Sequence, residues 1–142
     1  MKTFITIAAL FLLCTCTKAR RVSNRISGIW ELTSYKRTNY EGMISYPTAS
    51  GTARFEELEN TKDSAAYLFD IALIFDTITD SLQENGTYKL VEKGNFMYVN
   101  EQDSLDMTIS YIKYRVLSLT KTDLELEFSK GTNTDVLLFK KQ

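Results

Sequence analysis

From residue 66 onward, apolar residues occupy every second position in short runs, and only turn residues separate one run from the next. No other feature constrains the fold as much. Alternation with period two marks a half-buried strand, and a short turn returns the chain antiparallel to itself. Between Ala66 and Asp76, Phe69, Ile71, Leu73 and Phe75 oppose Leu68, Asp70, Ala72, Ile74 and Asp76, and the heavier first set is expected to face the core. Leu124, Leu126 and Phe128 alternate with Glu125 and Glu127, the clearest half-buried strand in the chain. Thr87 to Val91, Phe96 to Val99 and Asp135 to Lys140 read as further strands. Turns are expected at Thr79 to Gly86, where Asn85-Gly86 is a tight-turn signal, at Lys93-Gly94-Asn95, at Glu101 to Ser104, at Thr120 to Asp123 and at Lys130 to Asn133. Leu105 to Leu119 changes parity along its length, so a bulge or bend is expected near Ser110 to Lys113.

The first strand opens at Gly28-Ile29-Trp30-Glu31-Leu32, which holds the only Trp, and sets Trp30, Leu32 and Ser34 against Glu31, Thr33 and Tyr35. Val22 to Ser27 suits a short helical turn before it, with Ser23 or Asn24 as cap. Thr38 to Gly51, with Asn39, Gly42, Pro47 and Ser50, reads as the longest irregular stretch, and Thr52 to Asn60 fits a short strand better than a helical turn. The fold class that follows is all-β: an antiparallel up-and-down barrel of about eight short strands, closed so that neither edge is left open. A two-sheet sandwich is the alternative, but it needs a long crossover, and every connection after residue 66 looks short.

Ahead of these strands the composition changes. Lys2 precedes an apolar run from Phe4 to Leu13, too short to span a bilayer, where a helix needs about 20 residues. It reads as a signal peptide over residues 1–15, followed by a tether over 16–26 and the barrel domain over 27–142. Cleavage after Ala19 and a disulfide or metal pair between Cys14 and Cys16 are the alternatives; two residues is a straining span for a disulfide. The basic residues Lys18, Arg20, Arg21 and Arg25 suit a solvated tether or contact with anionic headgroups.

Leu13-Cys14-Thr15-Cys16 resembles a bacterial lipobox, and with Gly28 to Leu32, Gly86-Thr87-Tyr88, Leu119 to Leu126 and Val136 to Lys141 the chain resembles the lipocalin-like domain of small Bacteroidetes lipoproteins. The resemblance covers roughly residues 27 to 141. It implies that Cys16 carries a lipid, that Trp30 packs at the closed end of a barrel, and that Lys140 or Lys141 lies over its ring. It further implies a cell-envelope location on the outer membrane, and the basic run after Cys16, which departs from the acidic surface-export runs of such lipoproteins, favours the face towards the periplasm.

Chemistry is mostly excluded rather than indicated. The chain has no His, and both Cys lie inside or at the edge of the leader, so His-dependent nucleophilic schemes and His-rich metal sites are ruled out. A formal net charge of -1 without a basic stripe points away from nucleic acid. Asp76, Asp80, Glu84 and Asn85 suit a solvated hairpin end better than a Ca²⁺ loop, and Glu125 with Glu127 suit a solvated face better than an acid-base pair. No catalytic residue, metal site or cofactor is expected, and the chain is not expected to be an enzyme. The expected role is binding of a small hydrophobic molecule or an envelope protein by a membrane-anchored barrel; the alternative is an interaction module with a filled barrel. Trp30, Leu32, Phe69, Ile71, Leu73, Phe75, Tyr88, Phe96, Tyr98, Leu124, Leu126 and Phe128 are the candidates for the core or the cavity wall. The Tyr-rich loop Tyr40 to Tyr46 with Pro47 is a candidate contact surface or an ordinary lid.

Overall fold

A computed structural model describes residues 22, 24–59, 63–75, 78–102 and 109–142. The leader over residues 1–15, Cys16, most of the tether, Asp76 and the stretch 103–108 lie outside the described residues. Nine strands follow in order: β1 (Gly28–Thr38), β2 (Ile44–Ser45), β3 (Thr48–Phe55), β4 (Ala65–Phe75), β5 (Ile78–Val91), β6 (Phe96–Gln102), β7 (Ile109–Leu119), β8 (Asp123–Lys130) and β9 (Asn133–Lys141). A 3₁₀ turn, Glu92–Gly94, joins β5 to β6.

All pairings are antiparallel, and β1 pairs with both β3 and β9, so β1 and β3 to β9 close into an eight-stranded up-and-down barrel. The two-residue β2 only extends the far end of β1, opposite Arg37 and Thr38. Closure leaves the eight barrel strands without an open edge, which removes the usual template for intermolecular strand pairing.

The interior is filled at the end where β1 starts. Phe69 lies in a ring cluster, with centroids of Phe55, Tyr67 and Tyr114 at 5.7, 5.3 and 5.7 Å and Phe139 stacked at 6.4 Å. Edge-to-face and offset pairs of this kind add to the area they bury. Trp30 is fully buried beneath them, and its Nε1 donates to the Ile26 carbonyl at 2.7 Å. Lys141 closes this end: its ammonium lies 5.1 Å from the Trp30 ring and donates to the carbonyls of Ser27, at 2.7 Å, and Arg25, at 3.2 Å. Lys140, the other cation expected there, bonds Asp123 instead.

Several expectations need correction. Thr79 to Gly86 is not a turn but continuous β5, paired with β4 from Phe75 opposite Ile78 to Ala65 opposite Tyr88. Gly86 serves close approach rather than turning, because a Cβ there would lie 2.0 Å from the Asn100 carbonyl oxygen on β6. Thr38 to Gly51 is only partly irregular, since it contains β2 and the first half of β3. Gly51 again permits close approach, with φ of 138° and a virtual Cβ 2.1 Å from the Asp70 carbonyl oxygen. Glu101, read as the start of a turn, belongs to β6.

Two bulges reset the parity. One between Leu32 and Ser34 leaves Thr33 unpaired against β9, its hydroxyl donating to the Leu138 carbonyl, and turns Tyr35 inward where Ser34 was expected. The other lies between Val116 and Ser118, not at Ser110 to Lys113. Both are the extra residue that a tightly curved small barrel requires.

Candidate functional site

The end opposite Trp30 is hollow. A cavity of about 330 Å³ opens between the ends of β1, β4, β5, β7, β8 and β9, with Leu73, Leu82, Ile112 and Phe128 as its apolar wall. Charged groups make up the rest. Arg37 and Asp135 face each other directly across the β1–β9 register, and both point inward. Arg37 donates to the two carboxylate oxygens through Nε at 2.7 Å and Nη2 at 3.0 Å, and through Nη2 to the Tyr35 hydroxyl at 3.0 Å. Its guanidinium also lies 4.8 Å from the Phe75 ring centroid. A bidentate pair with a ring on one side is the arrangement that best compensates a buried carboxylate, and Asp135 is fully buried.

Glu84, buried on the inward face of β5, accepts a hydrogen bond from the Tyr114 hydroxyl at 3.4 Å. Asp80 lies one inward position beyond Leu82 and reaches the mouth of the cavity, with Lys130 opposite on β8. The burial of Glu84 corrects its reading as part of a solvated hairpin end, whereas Asp80 is exposed close to the β4–β5 turn, as expected. Glu84 follows Tyr88 and Gly86 on the inward parity of a strand that does not turn. Asn85 faces out. Among the described residues no group of three or more acidic side chains is placed to hold a metal ion.

The environment shows in the phenols. Burial, and then the charge of Asp135, hold the Tyr35 hydroxyl well above its ordinary range. Burial and then Glu84 do the same for Tyr114. Tyr88, at the filled end, is pushed up to about 12 by burial and by Glu57 and Glu56, and it donates to the Glu56 carbonyl at 2.7 Å. A phenol whose folded pKa exceeds its unfolded value keeps its full stabilising effect below about pH 10, and loses it as pH rises towards the folded value. Stability is therefore expected to fall between about pH 10 and 12, with these three phenols ionising as the chain unfolds. Ultraviolet titration followed alongside circular dichroism checks this; three phenols ionising at about pH 10 with the fold intact would contradict it.

Of the residues singled out by sequence, Trp30, Leu32, Phe69, Ile71, Leu73, Tyr88, Leu124, Leu126 and Phe128 are buried inside the barrel, and Phe75 is half-buried beside Arg37. Only Leu73 and Phe128 of this group line the cavity. Phe96 and Tyr98 are not core residues. Met97 and Val99 take the inward positions of β6, while Phe96 and Tyr98 lie outside under the Lys113 ammonium, at 3.8 and 5.7 Å from their ring centroids. Glu125 and Glu127 point away from the core, and Glu127 pairs with Arg115 at 3.4 Å. The loop after β1 is held by Asn39, whose Oδ1 accepts from the amides of Glu41 and Met43. It exposes Tyr40, Met43, Ile44 and Tyr46. Sequence reasoning missed Tyr35, Arg37 and Asp135 and read Glu84 only as part of a solvated hairpin end; Glu84 and Asp135 share a parity with inward apolar neighbours, whereas Tyr35 and Arg37 lie on the parity opposite Trp30 and Leu32.

No family model matches the sequence, and no curated protein matches it. Solved structures do. A redesigned β-barrel superposes with a TM-score of 0.51 at 15% identity, over 86% of this chain and 96% of its own. Japanin from Rhipicephalus appendiculatus, solved bound to cholesterol, gives a TM-score of 0.47 at 14% identity, over 82% of this chain and 76% of its own. The class is thus an all-β antiparallel closed barrel of eight strands with one short extra strand.

Proposed function

We propose that the protein binds a small amphipathic molecule in the open end of a lipocalin-like barrel. The cavity of about 330 Å³ carries this reading, because an apolar wall meets a few placed polar groups in it, the composition of a small-molecule site. Its volume is at the lower end of such sites, roughly 300–1,000 Å³, and the rings around Phe69 fill the space below it. The ligand is therefore compact. Its apolar body rests on Leu73, Leu82, Ile112 and Phe128, and its polar head meets Asp80, Glu84 and Lys130.

Binding of N-phenyl-1-naphthylamine, an apolar fluorophore, tests the reading. Native protein is expected to enhance its fluorescence, and Ile112→Trp, which fills the cavity, is expected to weaken binding at least tenfold, about 1.4 kcal/mol. Equal binding by the two proteins would remove the cavity from consideration.

The same reading places the barrel in the bacterial envelope as a lipoprotein of the Bacteroidetes type, anchored through Cys16 on the outer membrane facing the periplasm. The support is the leader sequence and its Leu13 to Cys16 end. Labelling with radioactive palmitate is expected for the native chain and absent for Cys16→Ala; equal labelling would refute the anchor. The exposed Tyr40, Met43, Ile44 and Tyr46 support a second reading, contact with an envelope protein, and that reading gains if the cavity binds no probe.

A further inference from the structure

A second site lies on the outside of the barrel, away from the open end. The antiparallel register of β5, β6 and β7 sets outward residues in cross-strand rows: Thr87, Asn100 and Tyr111 in one, Lys89, Tyr98 and Lys113 in the next. The inward neighbours Tyr88, Met97, Val99 and Tyr114 are fully buried, so these rows stand on a rigid floor. Between the rows and the residues leading into β4 is a pocket of about 210 Å³, lined by Asp63, Ser64, Lys89, Tyr98, Asn100 and Tyr111 among others.

Its polar groups are uncommitted. The Asn100 Oδ1 is buried and has no hydrogen-bond partner among the described residues, an acceptor that a folded chain leaves unmet only at a cost to stability. Among the described residues no hydrogen bond or ion pair engages the side chains of Asp63, Ser64, Thr87 or Lys89. Tyr111 is 61% exposed and, among the described residues, has neither a ring contact nor a hydrogen bond. A shallower hollow of about 320 Å³, lined by Lys89, Val91, Tyr98 and Tyr111, continues the same surface.

From this set we infer that the outer face of β5, β6 and β7 binds a neutral saccharide. Closely spaced donors and acceptors of both kinds match a molecule whose hydroxyls each donate and accept: Asp63 and Asn100 Oδ1 accept, Lys89 donates, and Ser64 and Thr87 do either. The exposed Tyr111 ring offers flat apolar surface to the C–H face of a sugar ring. Charge argues against a polyanion. Among the described residues, Lys113 lies over Phe96 and Tyr98, Arg115 pairs with Glu127, and Lys89 shares the pocket with the opposite charge of Asp63. A single-stranded nucleic acid needs a continuous positive groove beside its stacking rings, and the described residues of this face form none.

Titration of ¹⁵N-labelled protein with maltotriose, cellotriose, mannotriose and triacetylchitotriose, each to about 10 mM, tests the assignment across the weak affinities expected of an open site. At least one is expected to shift the amides of residues 87–89, 98–100 and 111–113. Tyr111→Ala and Lys89→Met are each expected to weaken that binding about tenfold. Asn100→Ala is expected to do the same with no fall in melting temperature, since it removes a buried acceptor that nothing satisfies. No saccharide shifting these amides, or binding that survives Tyr111→Ala unchanged, would overturn the inference. Tyr111-dependent binding of an oligothymidine in place of every saccharide would overturn it in favour of nucleic acid. Ile112→Trp, which blocks the barrel mouth, is expected to leave saccharide binding intact, so failure at one site is read separately from failure at the other.

Discussion

Asp135→Ala is expected to lower stability by about 3–5 kcal/mol, the usual range when one partner is stripped from a buried ion pair. The carboxylate is fully buried and takes two hydrogen bonds from Arg37. Without it a guanidinium whose side chain is only 26% exposed is left between Phe75 and Tyr35 with no carboxylate bonded to it among the described residues. Conversely, a pair of apolar residues of similar shape avoids desolvating both charges, and such replacements are often neutral or stabilising. Arg37→Met with Asp135→Leu is therefore expected to recover most of the loss. A double-mutant cycle by urea denaturation measures the coupling, expected at about 2 kcal/mol or more. If the double variant is as unstable as Asp135→Ala, the two side chains are not coupled as their geometry implies. The double variant also separates stability from binding, because it makes part of the cavity wall apolar while leaving Leu73, Leu82, Ile112 and Phe128 in place.

That pair also shows where sequence reading stops. Arg37 and Asp135 are 98 residues apart, and each alone reads as one more charge on a strand. Only the β1–β9 register brings them face to face. By contrast, β4 and β8 are legible locally, because one parity is wholly apolar: Phe69, Ile71 and Leu73 in the first, Leu124, Leu126 and Phe128 in the second. On β5 the inward parity reads Leu82, Glu84, Gly86, Tyr88, so a buried acid and a glycine required by the Asn100 carbonyl interrupt the apolar signal and imitate a turn. β6 misleads in another way. Its aromatics outweigh Met97 and Val99, yet size did not decide the face, because Lys113 on the next strand covers Phe96 and Tyr98 from outside. Bulges complete the account: a single extra residue at Thr33 sends Tyr35 into the cavity, and nothing in the local pattern announces it.

Trp30→Ala is expected to lower stability by about 3–5 kcal/mol, the range for emptying a buried aromatic site. For a domain of this size that corresponds to a fall in melting temperature of roughly 10–20 °C. Three losses combine. The largest fully buried side chain in the barrel disappears from the closed end, the Ile26 carbonyl loses its donor, and the Lys141 ammonium loses the ring beneath it while still held to Ser27 and Arg25. Trp30→Phe keeps an apolar ring and gives up the Nε1 bond and part of the volume, so a smaller loss of about 1–2 kcal/mol is expected. Urea denaturation followed by far-ultraviolet circular dichroism measures both, and a shifted midpoint with unchanged slope shows that the folded state is otherwise the same. Because the rings around Phe69 separate Trp30 from the cavity, the folded fraction of Trp30→Ala is expected to bind the fluorophore as the native chain does. Loss of fluorophore binding by folded Trp30→Ala would mean that the two ends are mechanically coupled, and that the filled end supports the open one rather than only closing the barrel.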